Sequence, residues 1–193
     1  MKKLIGITGG IGSGKSVVGK ILTSMGYPVY YSDKEAKTLM NNDKTIKQNL
    51  IKLLGEKAYL NNQLNKPFLA EKIFQDSKLK KKVNNIVHPI VRAHFKTFAE
   101  NQDSPLVFNE AAILFETGSY KKFDHVILVV ADKETRIKRV INRDNVTREQ
   151  VLARMKNQWS DERKVGLTSL IVNNNETDLL VPQVLKILNK IVN

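Results

Sequence analysis

The sequence predicts an α/β fold, a parallel sheet flanked by helices. Three observations predict it. Lys3 to Thr8 is a short apolar strand ended by glycines, with an apolar stripe at helical spacing behind it. His125 to Val130 is nearly continuous in apolar residues, as expected for a central parallel strand covered on both faces. Strand and helix patterns alternate along the chain, and right-handed crossovers turn that order into a parallel sheet.

The elements follow in order. Val17, Val18, Ile21, Leu22 and Met25 form one helix face, with Gly26 placed to stop the helix and Pro28 just beyond. Val29 to Tyr31 is a β-rich second strand ending at Ser32 and Asp33. From about 34 to 102 no strand pattern is visible. Helical groups fill this stretch: Leu50, Ile51, Leu53, Leu54; Phe68, Leu69, Ile73, Phe74; Ile90, Val91, Phe95, Phe98. Asn61, Asn62 and Pro67 mark a loop within it. A substrate-binding insertion would interrupt the alternation in this way. Pro105 to Phe108 reads as a buried strand, and a helix from about 133 to 143 follows the strand His125 to Val130. Thr147 to Gln150 fits a capping box. Leu170 to Val172 is a last strand, ended by three asparagines, and apolar positions 181, 184, 185, 188, 191 and 192 describe an amphipathic helix. There are no repeats and no inter-domain linker, so residues 1–193 are expected to form one domain.

Composition narrows the classes. A hydrophobic fraction of 41% supports a core, and the absence of cysteine excludes disulfides and thiolate metal sites. The charged start Met1 to Lys3 is followed by an apolar run too short for a signal peptide, and no run approaches the ~18 apolar residues of a membrane span. A soluble, cytoplasmic protein without a membrane partner is expected. The net charge of +13 fits nucleic acid, a phosphate-rich substrate, or solvated lysine faces such as Lys78 to Lys82. Nucleic-acid binding would need a basic stripe with interleaved aromatics. Only 7% of residues are aromatic and no such stripe is visible, so no nucleic-acid partner is expected.

Gly9, Gly14, Lys15 and Ser16 meet the pattern G-x-x-x-x-G-K-[ST] between a predicted strand and a predicted helix. Glycines let successive backbone N–H groups turn inward onto phosphate oxygens, and the helix N-terminus adds positive charge. The loop residues Gly10, Ile11, Gly12, Ser13, Gly14, Lys15, Ser16 and Val17 are therefore candidates for ATP, with Lys15 reaching the β- and γ-phosphates and the Ser16 hydroxyl a ligand for Mg²⁺. Asp33, at a strand end, is either a base for an attacking hydroxyl or the N-cap of the next helix. Glu110 is either a water-mediated Mg²⁺ holder or a solvated loop residue, and Glu116 is a helix or turn residue. Arg139 and Arg143 share a helix face and suit a transferring phosphoryl group, with Arg148 and Arg154 in the next helix; a solvated basic face is the alternative. His88 is read as structural, with Pro89 at a first helical position. Asn174 is a turn residue by its own context.

The set resembles the dephospho-coenzyme A kinase family along nearly the whole chain. The resemblance is carried by Ile7 to Ser16, by Asp33 with Ala36, and by His88-Pro89. It continues through Glu110 to Glu116, where the family usually reads Asp-x-Pro-Leu-Leu-Phe-Glu, then Arg143-Asp144, Thr147 to Gln150, Arg154, Gln158 and Asn174. Ala112, Ser169 and Glu176 depart from the family's usual Pro, Asp and Gly. The resemblance implies a P-loop NTPase-type sheet, a helical substrate-binding insertion over about 34–102 and an Arg-bearing lid over about 139–165. It implies transfer of the ATP γ-phosphate to the ribose 3′-hydroxyl of dephospho-coenzyme A, the last step of coenzyme A biosynthesis, with Mg²⁺. Asp33 becomes the base and Asn174 an adenine contact. ATP and dephospho-coenzyme A are the small-molecule partners, and a monomer is expected, with an oligomer left open. Another small-molecule kinase, such as a nucleoside-monophosphate kinase, is the near alternative; a non-enzymatic ATP switch or nucleic-acid-binding protein is a more distant one.

Overall fold

The computed structural model describes residues 2–192; Met1, Asn193 and the side chains of Phe74 and Gln75 lie outside the described residues, and with them the apolar position read at Phe74. In chain order the elements are β1 (Lys3–Gly9), α1 (Lys15–Ser24), β2 (Val29–Tyr31), α2 (Ser32–Asn42), α3 (Lys44–Leu54), β3 (Tyr59–Leu60), β4 (Gln63–Leu64), α4 (Lys66–Gln75), α5 (Ser77–Glu100), β5 (Leu106–Glu110), β6 (His125–Val130), α6 (Lys133–Asp144), α7 (Arg148–Met155), α8 (Asp161–Val165), β7 (Leu170–Asn173) and α9 (Leu180–Val192). They fall into two compact units. One holds the chain up to Tyr31 and from Gln102 onward; the other is Ser32–Asn101.

The first unit is a five-stranded sheet in the order β2-β5-β1-β6-β7. Every pairing in it is parallel. Strand side chains alternate between faces, and here both faces are covered. Ile127 and Val129 join Ile5, Ile7 and Phe108 in a core closed by Val18 and Leu22 of α1 and by Val184, Ile187, Leu188 and Ile191 of α9. Val126 and Leu128 point the other way, against Phe115, with Trp159 packed on them. Burial on both sides explains why β6 carries an unbroken apolar run. Each such side chain contributes about 1.5–3 kcal/mol. Helix α1 ends as expected, with Gly26 at φ 86° just past its last turn. The Thr147 capping box of α7 is complete.

The second unit is helical, and two expectations about it need correction. Residues 34–102 do contain strands: β3 and β4 form a short antiparallel hairpin. Its turn is Asn61-Asn62, and both residues are left-handed, with φ of 47° and 67°. Two asparagines in this conformation suit a tight hairpin, because Asn tolerates positive φ better than other residues with a side chain. Strands of two residues have no readable period. The second correction is Pro89, which lies inside α5 rather than at a helix start. A proline there removes one helix hydrogen bond. Val83, Val87, Val91, Phe95 and Ala99 form a buried stripe at every fourth position, running on both sides of Pro89 and holding the helix through it. Helices α3, α4 and α5 are capped by Asp43, Asn65 and Asp76. Tyr59 donates from its hydroxyl to the Met40 carbonyl at 2.6 Å. Burial, then Asp43, push its pKa up to about 12.

His88, half-buried on α5, has its pKa pushed below 6.5 by burial and then by Arg92, against an opposing pull from Asp33. Below pH 6.5 the unfolded chain takes up a proton that folded His88 resists, so stability falls as pH falls. Between about pH 7 and pH 5 the melting temperature of His88→Gln is expected to drop less than that of the parent. Equal drops would assign the acid sensitivity to other groups.

Candidate active site

The loop between β1 and α1 is a cradle of backbone. Gly14 is the N-cap of α1, with φ 93°, and no side chain caps the helix. Elsewhere α3, α4, α5, α7 and α8 all take a side-chain cap. An uncapped N-terminus with its dipole is an anion site. A side chain at Gly14 would strike the Asn174 amide nitrogen. One at Gly12, φ 79°, would strike the Arg136 carbonyl oxygen at 2.5 Å. Both positions need glycine for conformation and for space. Lys15 donates from Nζ to the Gly10 carbonyl at 3.3 Å, folded back over the loop. The Ser13 hydroxyl is buried without a hydrogen-bond partner, a donor within the loop itself. Ser16 and Val17 are exposed on the first turn of α1.

Side chains from distant segments hold the outside of the loop. Arg136, buried on α6, donates from Nε to the Ile11 carbonyl at 2.9 Å and pairs through Nη1 with Asp161 at 2.7 Å. Gln158 accepts from the Ile11 N–H at 2.8 Å through Oε1 and donates to the Ala112 carbonyl at 3.4 Å through Nε2. Asn174, buried after β7, donates to the Ser13 carbonyl at 2.7 Å. Arg139 donates to the Asn174 carbonyl at 2.8 Å, so it stands beside the loop. The Ile11 N–H is thus directed to Gln158 and the Asn174 amide nitrogen to the loop.

Neither Arg136 nor Gln158 was assigned a role from sequence. For Arg136 a signal existed: it lies four residues before Val140 on the buried stripe of α6, a charge where an apolar residue belongs. Gln158 was legible only as part of the family resemblance.

Glu110 is the last residue of β5, in register with Ile7 of β1 and Tyr31 of β2, and is only 8% exposed. The solvated-loop reading does not hold for it. Glu116 is partly buried: its Oε1 accepts from the Trp159 N–H at 3.0 Å and lies 2.9 Å from Nζ of Lys164, which is fully buried. Arg163 stacks on the Trp159 ring at 3.4 Å.

Farther along α6, Arg143 grips Asp144 with Nε at 2.7 Å and Nη2 at 3.1 Å, and Arg154 reaches the same carboxylate at 2.7 Å. These bonds, Arg143's first, pull the Asp144 pKa down to about 2. Arg148 holds Glu134 with two bonds of 2.6 and 2.7 Å. Arg139 and Arg143, read as one face, therefore have different neighbours: the loop for one, the α6–α7 hairpin for the other.

Asp33 is exposed, in the first turn of α2, which begins at Ser32. It sits inside the helix and is not its N-cap. Among the described residues no group of three His, Cys, Asp or Glu side chains could hold a metal alone. An exposed hydroxyl at Ser16 and a carboxylate at Glu110 still suit Mg²⁺, a hard cation that takes oxygen ligands, binds through one or two protein groups, and takes the rest from water and phosphate. No helix among the described residues is long and apolar enough to cross a membrane.

A sequence profile of the dephospho-CoA kinase family matches residues 3–179. A Bacteroides fragilis protein named dephospho-CoA kinase is 40% identical over 185 residues, 95% of this chain and 90% of that one. A solved Thermus thermophilus protein is 34% identical, with a TM-score of 0.85 over 99% of this chain and 96% of its own. The solved dephospho-CoA kinase of Campylobacter jejuni is 25% identical, with a TM-score of 0.70 over 99% of this chain and 98% of its own. The chain belongs to the dephospho-CoA kinase family.

Proposed function

We propose that the ATP phosphates lie along the loop Gly9 to Ser16 and that Asp33 receives the proton of the attacking hydroxyl. The chain is an ATP-dependent kinase of P-loop fold, and its acceptor is dephospho-CoA. The observation that carries the assignment of the ATP site is the uncapped N-terminus of α1, entered through Gly14. In the proposed reaction the ribose 3′-oxygen of dephospho-CoA attacks the γ-phosphorus in line, the bond to the β-phosphate oxygen breaks, ADP leaves, and the hydroxyl proton passes to the Asp33 carboxylate. Asp33 follows β2 by two residues, and ligands of open α/β sheets gather beyond the carboxyl ends of the strands.

The remaining roles follow from chemistry. Lys15 neutralises the β- and γ-phosphate oxygens. Ser16 and Glu110 would hold Mg²⁺, which when bound supplies charge neutralisation between the two phosphates. Arg139, beside the loop, and Arg143, on the α6–α7 hairpin, stabilise negative charge spread over the transferring group, with residues from about 139 to 165 acting as a lid. Asn174 contributes to ATP binding through the loop it supports, and adenine contact by this residue belongs to the same proposal. The helical unit Ser32–Asn101 takes the part of the acceptor-binding insertion.

Mass analysis of the product from ATP and dephospho-CoA, with the new phosphate located, is the direct test. Phosphate on a nucleoside monophosphate and none on dephospho-CoA would refute the reading. Asp33→Asn should lower kcat on the order of a hundredfold and leave ATP affinity near the parent value; near-normal turnover in the purified variant would remove Asp33 as base. Gly12→Ala should abolish ATP binding by calorimetry, because its Cβ meets the Arg136 carbonyl in a conformation alanine avoids. Arg143→Ala should lower kcat more than it raises KM, and a rise in KM alone would make Arg143 a binding residue.

A further inference from the structure

Ile11 is held on both sides. Its N–H goes to Gln158 and its carbonyl accepts from Arg136. The same Gln158 side chain reaches a second loop, donating to the Ala112 carbonyl. Those two loops leave neighbouring strands: β1 runs into the phosphate loop, and β5 runs through Glu110 into Ala112. The bridge needs one side chain that accepts at one end and donates at the other. A carboxylate cannot donate, a lysine cannot accept, and an amide does both.

Residues 159–164 strengthen the same join. The Trp159 N–H and the Lys164 ammonium both meet Glu116 Oε1, on the segment after β5. Asp161 pairs with Arg136, which holds the Ile11 carbonyl. The run from 158 to 164 is thus fastened to the segment after β5 directly and to the phosphate loop through Gln158 and, by way of Arg136, through Asp161. Gln158 touches both by itself.

We propose that Gln158 is a positioning residue for phosphoryl transfer: by bridging the Ile11 N–H and the Ala112 carbonyl it sets the gap between the phosphate loop and the end of β5. Lys15 and Ser16 open α1 directly after the loop, and Glu110 is the last residue of β5. Gln158 touches no substrate in this role. It acts through the two backbones, so its loss changes how well the γ-phosphate is placed more than how tightly ATP is held. Small misplacements of reacting groups lower rates strongly.

The two bonds can be separated by substitution. Gln158→Glu keeps an acceptor for the Ile11 N–H and loses the donor for Ala112. Gln158→Met keeps the length and loses both. The inference rests on the loop being the ATP site. Loss of ATP binding in Gly12→Ala tests that reading, and the variant-to-parent ratio of kcat tests this one. Steady-state kinetics of Gln158→Glu should give an ATP KM within about twofold of the parent with kcat lowered roughly tenfold, the scale of one hydrogen bond lost at a partly buried carbonyl. Gln158→Met should add a several-fold rise in ATP KM to a similar loss of kcat. Parental kcat in Gln158→Glu would overturn the proposal, as would an ATP KM raised equally in both variants. A kcat loss that disappears well below the melting temperature of the variants would also overturn it, leaving Gln158 a stability residue. Gln158→Glu keeps the test decisive if Gln158→Met does not fold.

Discussion

A phosphate loop is a backbone turned inward, and this geometry creates a need on its outer side. N–H groups that face an anion cannot serve the protein, and the carbonyls they leave behind still require donors. An unpaired buried backbone group costs about 1–3 kcal/mol. Here the outer groups are met individually: Arg136 for the Ile11 carbonyl, Gln158 for the Ile11 N–H, Asn174 for the Ser13 carbonyl. These partners lie 125 to 161 residues away in the chain. Local sequence cannot supply them, so the sheet must. The order β5-β1-β6-β7 puts the loop at the centre and brings the segments after β5, β6 and β7 around it.

The same arrangement divides the charged residues into two kinds. Arg136–Asp161 and Lys164–Glu116 are largely withdrawn from water. Removing one partner of such a pair strands a buried charge and is strongly destabilising, about 3–5 kcal/mol. Arg148–Glu134 and Arg154–Asp144 are open to solvent and screened by salt. The α6–α7 hairpin is therefore firm at its root, where it meets the loop, and loosely held along its outer edge. The lid role proposed for this segment would draw on that gradient, because local stability varies with buried contacts.

Much of the sheet could be read from the sequence because burial on two faces writes an unbroken apolar run, as in His125 to Val130. The loop could be read because its backbone demands glycine at Gly9 and Gly14, two of the positions that define the motif. The Asn61-Asn62 hairpin escaped because strands of two residues carry no period. Pro89 was read as a helix boundary because local rules make it one; packing along Val83 to Ala99 overrode them. Arg136 and Gln158 escaped for a different reason. Their function is to satisfy backbone groups, and a backbone group has the same sequence signature at every position.

The net charge of +13 illustrates that difficulty. Lys78, Lys80, Lys81 and Lys82 lie exposed on α5, so part of the excess is a solvated face. Arg136 and Lys164 are buried in ion pairs and serve the scaffold. Arg143, Arg148 and Arg154 lean on carboxylates of their own hairpin. Lys15 and Arg139 also stand beside the loop, Lys15 donating to the Gly10 carbonyl and Arg139 to the Asn174 carbonyl. Peptide dipoles at the uncapped start of α1 add positive potential beside these cations, a contribution that a count of lysines and arginines does not register.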